Sequence, residues 1–237
     1  MDGAPCWAEL DVEDPEAVTA FYAAVLGWSV DAGVGADHQH RIVRRDEHAV
    51  GAFGSPGVAA PPAWTLYLRV DDVDAAAESL AELGGEVLHG PEDDHDGGRF
   101  LVATDAGAAV VGLWESDHDV PAPGPGRLCW AEAASAEPGT TRSFYTELLG
   151  WRWAEDGAGP GHLAGGGGDG PVAGLGLAGD ALPHWLPVFA VRDADAAVRA
   201  AAEAGGEVVV PVDAGPRGRQ ATLADPGGAR FGVLEIG

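Results

Sequence analysis

The sequence predicts an α+β protein built from four βαβββ modules, arranged as two tandem copies of two. Three observations carry this prediction. Residues 7–28, WAELDVEDPEAVTAFYAAVLGW, and residues 130–151, WAEAASAEPGTTRSFYTELLGW, are identical at nine of 22 positions at an offset of 123. Later stretches repeat as well: GGEV recurs at 84–87 and 205–208, and GRFLVATDAGAAVVGLWE at 98–115 matches GRQATLADPGGARFGVLE at 218–235. Within each copy a strand, a helix and three further strands occur twice in order. A repeat of fixed period marks duplicated structural units.

The first copy shows how each element arises. AELDV (8–12) reads as a strand leading into a helix. Asp14 suits the N-cap, where a side-chain oxygen accepts from free helical N–H groups, and Pro15 suits the first helical position. Val18, Phe21, Tyr22 and Val25 fall at i, i+3, i+4 and i+7, one apolar stripe. Gly27 suits the stop. Short strands are expected near 40–45 and 49–53. LYLRV (66–70) leads into the helix DDVDAAAESLAELGG, and strands near 86–89, 99–104 and 109–114 complete the second module. The expected domains are 1–119 and 128–237. They are joined by VPAPGPGR (120–127), whose Pro and Gly disfavour regular structure.

Composition narrows the chemistry. The 237 residues include 13 Arg, no Lys and 38 Asp plus Glu, for a net charge of -25. Without Lys there is no Schiff-base, P-loop or general-base lysine. The acidic excess repels nucleic acid and anionic membranes and favours neutral or cationic ligands. No apolar run reaches the roughly 18 residues of a membrane helix, and residues 1–10 lack the marks of a signal peptide, so a cytoplasmic protein is expected. Cys6 and Cys129 give no disulfide framework.

FYAAVLGW and FYTELLGW after a strand, the GGEV strand starts and the Asp-x-Gly runs at Asp105 and Asp225 resemble the vicinal oxygen chelate superfamily. That superfamily includes glyoxalase I, extradiol dioxygenases and the fosfomycin- and bleomycin-resistance proteins. The resemblance covers nearly the whole chain. It implies two cupped mixed β-sheets with flanking helices, each made by two modules around a cavity. It also implies His or Glu metal ligands in the first and last strands of a module. Here those positions fall on Trp7, Thr65, Trp130 and Leu186, and on Gly51, Gly112, Gly174 and Gly232. None offers the carboxylate or imidazole that a divalent cation needs, so no metal and no cofactor is expected. The histidines offer no substitute set. His38 and His40 form H-x-H, while His89, His95, His118, His162 and His184 are scattered without repeating between the copies. Asp93-Asp94-His95-Asp96 and the glycines at 165–168 read as solvated loops.

Side chains alternate along a strand. With Trp7 facing the cavity, Glu9 and Asp11 face it too; Trp130 brings Glu132, and Thr65 brings Tyr67 and Arg69. Likewise Gly51 brings Phe53, Gly112 brings Trp114 and Gly232 brings Leu234. Glycine widens such a cavity and the rings make it aromatic. Trp7, Glu9, Phe53, Thr65, Tyr67, Arg69, Gly112, Trp114, Trp130, Glu132, Gly174 and Gly232 are the ligand-binding candidates, suited to a bulky, flat, hydrophobic or aromatic small molecule, cationic or neutral. Glu9 and Glu132 are the catalytic candidates, because an apolar setting raises a carboxyl pKa towards neutrality. Arg99 and Arg219, at equivalent positions, are their candidate ion-pair partners. Trp28 and Trp151 read as structural, and Trp64 and Trp185 as the rim of a cleft.

Two functions fit. One is metal-free capture of a natural product or antibiotic for self-resistance, as in the bleomycin- and mitomycin-binding proteins. The other is a cofactor-independent isomerase, cyclase or lyase of secondary metabolism. In it Glu9 or Glu132 is the base, and Tyr67 or Arg69 steadies an oxyanion. A metal-dependent glyoxalase or dioxygenase with displaced ligands is a weaker third. Neither nucleic acid nor membrane is an expected partner. A monomer with an internal pseudo-dimer and a homodimer both fit the repeat.

Overall fold

The computed structural model describes residues 3–31, 40–54, 62–94, 97–116, 122–159, 161–167 and 170–237. His38, His95, Asp96, His118, Val120, Pro121 and Gly168 lie outside the described residues. The first module is β1 (Pro5–Asp11), α1 (Pro15–Leu26), β2 (Ser29–Val30), β3 (His40–Arg45) and β4 (His48–Gly54). The second is β5 (Ala63–Arg69), α2 (Val73–Glu82), β6 (Glu86–Asp93), β7 (Arg99–Thr104) and β8 (Val110–Glu115). The third is β9 (Leu128–Ser135), α3 (Pro138–Leu149), β10 (Arg152–Glu155), β11 (Leu163–Gly166) and β12 (Ala173–Leu177). The fourth is β13 (His184–Val191), α4 (Ala194–Glu203), β14 (Glu207–Gly215), β15 (Gly218–Ala224) and β16 (Arg230–Glu235). The strands form two mixed eight-stranded sheets, ordered β2-β3-β4-β1-β5-β8-β7-β6 and β10-β11-β12-β9-β13-β16-β15-β14. Among the described residues no helix is long and apolar enough to cross a membrane.

Local chemistry sets the helix ends. Asp14 accepts from the Glu16 and Ala17 amides, and Gly27 closes α1 in the left-handed region at φ 68°. Asp72 and Asp193 cap α2 and α4 in the same way. Glu115 and Glu235, from the last strands, accept from the first helical amides of Val73 and Ala194 at 3.0 and 2.9 Å. Those amides have no intrahelical partner, so a carboxylate there is favourable.

The chain forms two compact units by contact, one mainly of the first and fourth modules, the other mainly of the second and third. The same constellation centres each. In the first, Tyr22 is fully buried among Phe21, Trp28, Phe53, Trp64 and Phe231. Its hydroxyl donates to Asp225 at 3.0 Å and accepts from Trp64 Nε1 at 3.2 Å. Asp225 also accepts from the Gly227 and Ala229 amides of its own turn, both at 2.9 Å. In the second unit Tyr145 donates to Asp105 at 2.9 Å and accepts from Trp185 Nε1 at 2.9 Å. Asp105 there holds the Gly107 and Ala109 amides. Burial raises both aspartates above the usual carboxylate range, opposed by these hydrogen bonds. The Phe-Tyr and Asp-x-Gly motifs are thus two halves of one clamp. Trp28 and Trp151 stack on these tyrosines, as structural residues do. Trp64 and Trp185 are also buried in the clamps rather than set on a rim.

Two sequence expectations are corrected by register. The partners on β4 and β1 are Ala52 with Glu9 and Gly54 with Asp11, while Gly174 on β12 pairs with Glu132 on β9. The counterpart of Gly174 is therefore Ala52, not Gly51, because one residue fewer separates Trp151 from Gly174 than Trp28 from Ala52. A shift of one residue turns every side chain to the other face. Phe53 accordingly lies in the helix-side core against Tyr22 and Trp28, fully buried, not on the face that carries Glu9. Arg99 pairs with Asp74 and Asp93, and Arg219 with Asp195, so neither is a partner of Glu9 or Glu132.

Tyr22→Phe and Tyr145→Phe each delete the donor to a buried carboxylate. Each is expected to cost about 1–3 kcal/mol of unfolding free energy in a urea titration. A loss within error of zero in both would show that the clamp is not a stabilising element.

Candidate functional site

Three neighbouring strands of the third module build the candidate site. Along β9, Ala131 and Ala133 are buried, while Trp130 and Glu132 alternate onto the opposite face. β12 runs parallel to β9 and sets Gly174 beside Glu132, and β11 runs antiparallel to β12 directly after His162. Gly174 has a specific reason to be glycine. A Cβ there would meet the Glu132 carboxyl, and the His162 ring at 2.8 Å.

The side chains form a line. Trp130 Nε1 donates to Glu132 Oε1 at 2.7 Å. His162 Nε2 meets Glu132 Oε2 at 3.0 Å, and its Nδ1 meets Asp156 Oδ1 at 2.9 Å. Asp156 is itself fixed by the Ala158 amide at 2.9 Å. The side chains of His162, Glu132 and Asp156 are 16%, 26% and 12% exposed, dry enough for strong hydrogen bonds yet reachable. The hydrogen bond to Glu132 raises the His162 pKa above its ordinary value. Burial opposes the rise, and the Glu132 charge and Asp156 reinforce it. Asp156 orients the ring so that Nε2 faces Glu132, and the pair can share or exchange a proton across that contact.

The structure places the other candidates as follows. Trp7, Glu9 and Asp11 share one half-buried face of β1, while Ala8 and Leu10 are buried on the other. A Cβ on Gly54 would meet Glu9 Oε1 at 2.5 Å and Asp11 Oδ1 at 2.9 Å, so both carboxyls converge over that glycine. On β5, Thr65 and Arg69 are half-buried and Tyr67 is buried, with Tyr67 opposite Gly112 and Arg69 opposite Trp114. The Tyr67 ring covers Gly112, and Phe100 stands edge-on to it at 6.2 Å. Gly232 lies under Val188 in the same way. These glycines are therefore seats for a neighbouring strand's side chain rather than empty space.

Sequence reading missed His162 and Asp156. The available signal was a spacing: His40 precedes Gly54 by the same interval as His162 precedes Gly176. Scanned at a fixed offset of 123, His40 falls on Leu163 and the match is lost. His162 is thus the counterpart of His40, against the expectation that no histidine repeats.

The donor set at the superfamily's metal positions does not fit a divalent cation. Trp7, Thr65, Trp130 and Leu186 supply at most one hydroxyl. Tyr67, Val188 and Glu132 cover three of the four glycines, and a Cβ on Gly51 would meet the Ala8 carbonyl. Among the described residues no group of three or more His, Cys, Asp or Glu is arranged to hold a metal ion.

Residues 7–114 and 130–234 match the family described as glyoxalase-like domain. The chain belongs to that family. A relative of this glyoxalase-like protein is the anthracycline biosynthesis protein DnrV of Streptomyces peucetius. The two are 36% identical over 264 residues, covering 99% of this chain and 94% of DnrV. The putative glyoxylase CFP32 of Mycobacterium tuberculosis is 35% identical over 247 residues, covering 98% and 95%. Among solved structures, the 2,3-dioxygenase LapB from Pseudomonas sp. KL28 superimposes with a TM-score of 0.72 at 16% identity, covering 100% of this chain and 94% of LapB. The Mn(II)-bound glyoxalase from Novosphingobium aromaticivorans gives 0.66 at 16%, covering 99% and 85%. At such identity these structural likenesses establish the fold of the glyoxalase-like chain and nothing further.

Two outcomes are expected. Gly174→Ala forces the Glu132 carboxyl off its seat. It should abolish the upward displacement of the His162 titration in NMR spectra while leaving the far-ultraviolet dichroism intact; an unmoved titration would contradict the geometry. Because the folded His162 pKa lies above its unfolded value, the stabilisation is fully present below about pH 6.5 and is lost as pH rises through the folded value. The stability difference between wild type and His162→Gln in urea titrations should therefore shrink on going alkaline, and a difference that grows with pH would refute the ion pair.

Proposed function

We propose that the protein is a metal-independent acid/base enzyme of secondary metabolism, acting on a bulky, aromatic, carbonyl-bearing small molecule. The single observation that carries this reading is the Asp156–His162–Glu132 line. Capture of a ligand needs apolar surface and a few polar anchors. It does not need a histidine oriented by one carboxylate and in contact with another. Trp130 supplies an apolar wall whose N–H orients the base. The Tyr67–Phe100–Trp114 surface of the second module supplies further flat area for ring-bearing ligands. The name of the relative DnrV supports an aromatic biosynthetic substrate.

The step balances as an isomerisation. The Glu132 carboxylate takes a proton from a carbon beside the substrate carbonyl. The His162 Nε2–H gives its proton to a second position of the resulting enolate. The proton now on Glu132 passes to His162 across the 3.0 Å contact, and the pair ends as it began. Asp156 holds the ring through Nδ1 throughout and acts as a positioning residue.

The test is solvent-deuterium incorporation into an aromatic polyketide ketone, followed by NMR, alongside ligand binding read by tryptophan fluorescence. Glu132→Gln and His162→Asn should each lower the exchange rate by half or more and leave binding in place. If both variants exchange at the wild-type rate, the catalytic reading is wrong. Binding without any exchange in the wild type would instead establish capture as the function.

A further inference from the structure

The catalytic candidates share their sheet face with a cavity. Residues directly opposite one another in a sheet point to one side. The register runs from Glu132 on β9 to Gly174 on β12, Ala164 on β11 and Ala154 on β10. These residues therefore lie on one face of four adjacent strands, a span of about 14 Å at ordinary strand spacing. Arg152 shares that face further back along β10 and stands opposite Gly166. Here the structure holds a cavity of about 270 Å³, lined among others by Arg152, Ala154, Ala164, Gly166, Gly170 and Pro171. Its floor carries nothing larger than a methyl group. Gly166 has no room even for that, since a Cβ there would meet the Gly170 carbonyl oxygen, and Pro171 Cα at 2.9 Å. The volume suits one end of a drug-sized ligand rather than the whole.

The first copy is built differently at this place. The counterparts of Arg152 and Ala154 are Ser29 and Asp31. Arg44 stands opposite Ser29, where the second copy has Gly166, and donates to Asp31 at 2.7 Å. An ion pair of the chain's own residues occupies that position. In the second copy the guanidinium comes from β10 and the acid is replaced by alanine. Arg152 is exposed and makes no ion pair among the described residues.

We propose that Arg152 and this cavity form the specificity subsite for the reaction of Glu132 and His162. They take the carboxylate-bearing end of a flat aromatic carbonyl compound whose reacting carbon lies over Glu132. This rests on the reading of Glu132 and His162 as the proton-transfer pair. A planar guanidinium matches a carboxylate through two parallel N–H bonds. The small residues between Arg152 and Glu132 leave a flat path for a fused ring system. One negative group is compatible with the net charge of -25, because exposed charges beyond about 8 Å are screened whereas the guanidinium meets the carboxylate in contact.

Two aromatic ketones that differ only at one end, a free carboxylic acid and its methyl ester, test the subsite. Binding is read by tryptophan fluorescence and turnover by solvent-deuterium exchange, both on the whole protein. The wild type should bind the acid about tenfold more tightly than the ester or better. Arg152→Ala should bring the acid to the level of the ester. Ala154→Leu, which fills the cavity from an exposed position, should weaken both ligands. An acid preference that survives Arg152→Ala, or a wild type that treats the two ketones alike, overturns the subsite and leaves the reading of Glu132 and His162 standing. Acid binding that depends on Arg152, with neither ketone exchanged, removes the catalytic reading and keeps the subsite as the place where an aromatic acid is held.

Discussion

A phenol hydroxyl donating to a buried aspartate, once in each compact unit, is the interaction on which the rest of this fold depends. A carboxylate taken out of water is costly unless its oxygens are met by donors. Asp105 and Asp225 are 2% and 3% exposed, and each is met by two turn amides and one tyrosine. The turn amides fix the approach of the last strand of a module. The tyrosine fixes a helix from another module against that turn. In the second unit that helix is α3, which continues directly from β9 and so sets the strand that carries Trp130 and Glu132.

The second device is a glycine in a last strand covered by a side chain from the parallel first strand. It recurs with three coverings: the Tyr67 ring on Gly112, Val188 on Gly232 and the Glu132 carboxyl on Gly174. The geometry is common and the chemistry is not. An aromatic ring on the seat gives a flat apolar surface, and an aliphatic group gives packing alone. A carboxylate gives a hydrogen-bond acceptor held in place by backbone shape, with its own rotamer freedom already restricted.

The modules, helices and caps were legible in the sequence because their signals are local. Asp14, Pro15 and Gly27 act within one turn, and Val18, Phe21, Tyr22 and Val25 obey a helical period. The Phe-Tyr and Asp-x-Gly motifs were visible as repeats, but not as partners, since Tyr22 and Asp225 meet only through the fold. Strand faces were less legible. With a period of two, a single residue fewer between Trp151 and Gly174 than between Trp28 and Ala52 inverts inside and outside, so Phe53, expected in a cavity, sits in the core. His162 was hidden by the same lost residue. Asp156 left no signal, because a loop carboxylate acquires its meaning only from the ring it holds.

The charge of -25 invites the view that a general acidic field protonates His162, and magnitude decides against it. Exposed charges beyond about 8 Å are screened at physiological salt, and the acidic residues are spread along the whole chain. The contacts at 3.0 Å to Glu132 and 2.9 Å to Asp156 lie inside that length and within side chains that are mostly covered. Specific geometry, not net charge, therefore accounts for the raised pKa of this histidine. It follows that neutralising distant surface carboxylates should leave the His162 titration alone, while displacing the Glu132 carboxyl should not. The acidic surface bears instead on approach from solution, where like charge repels polyanions.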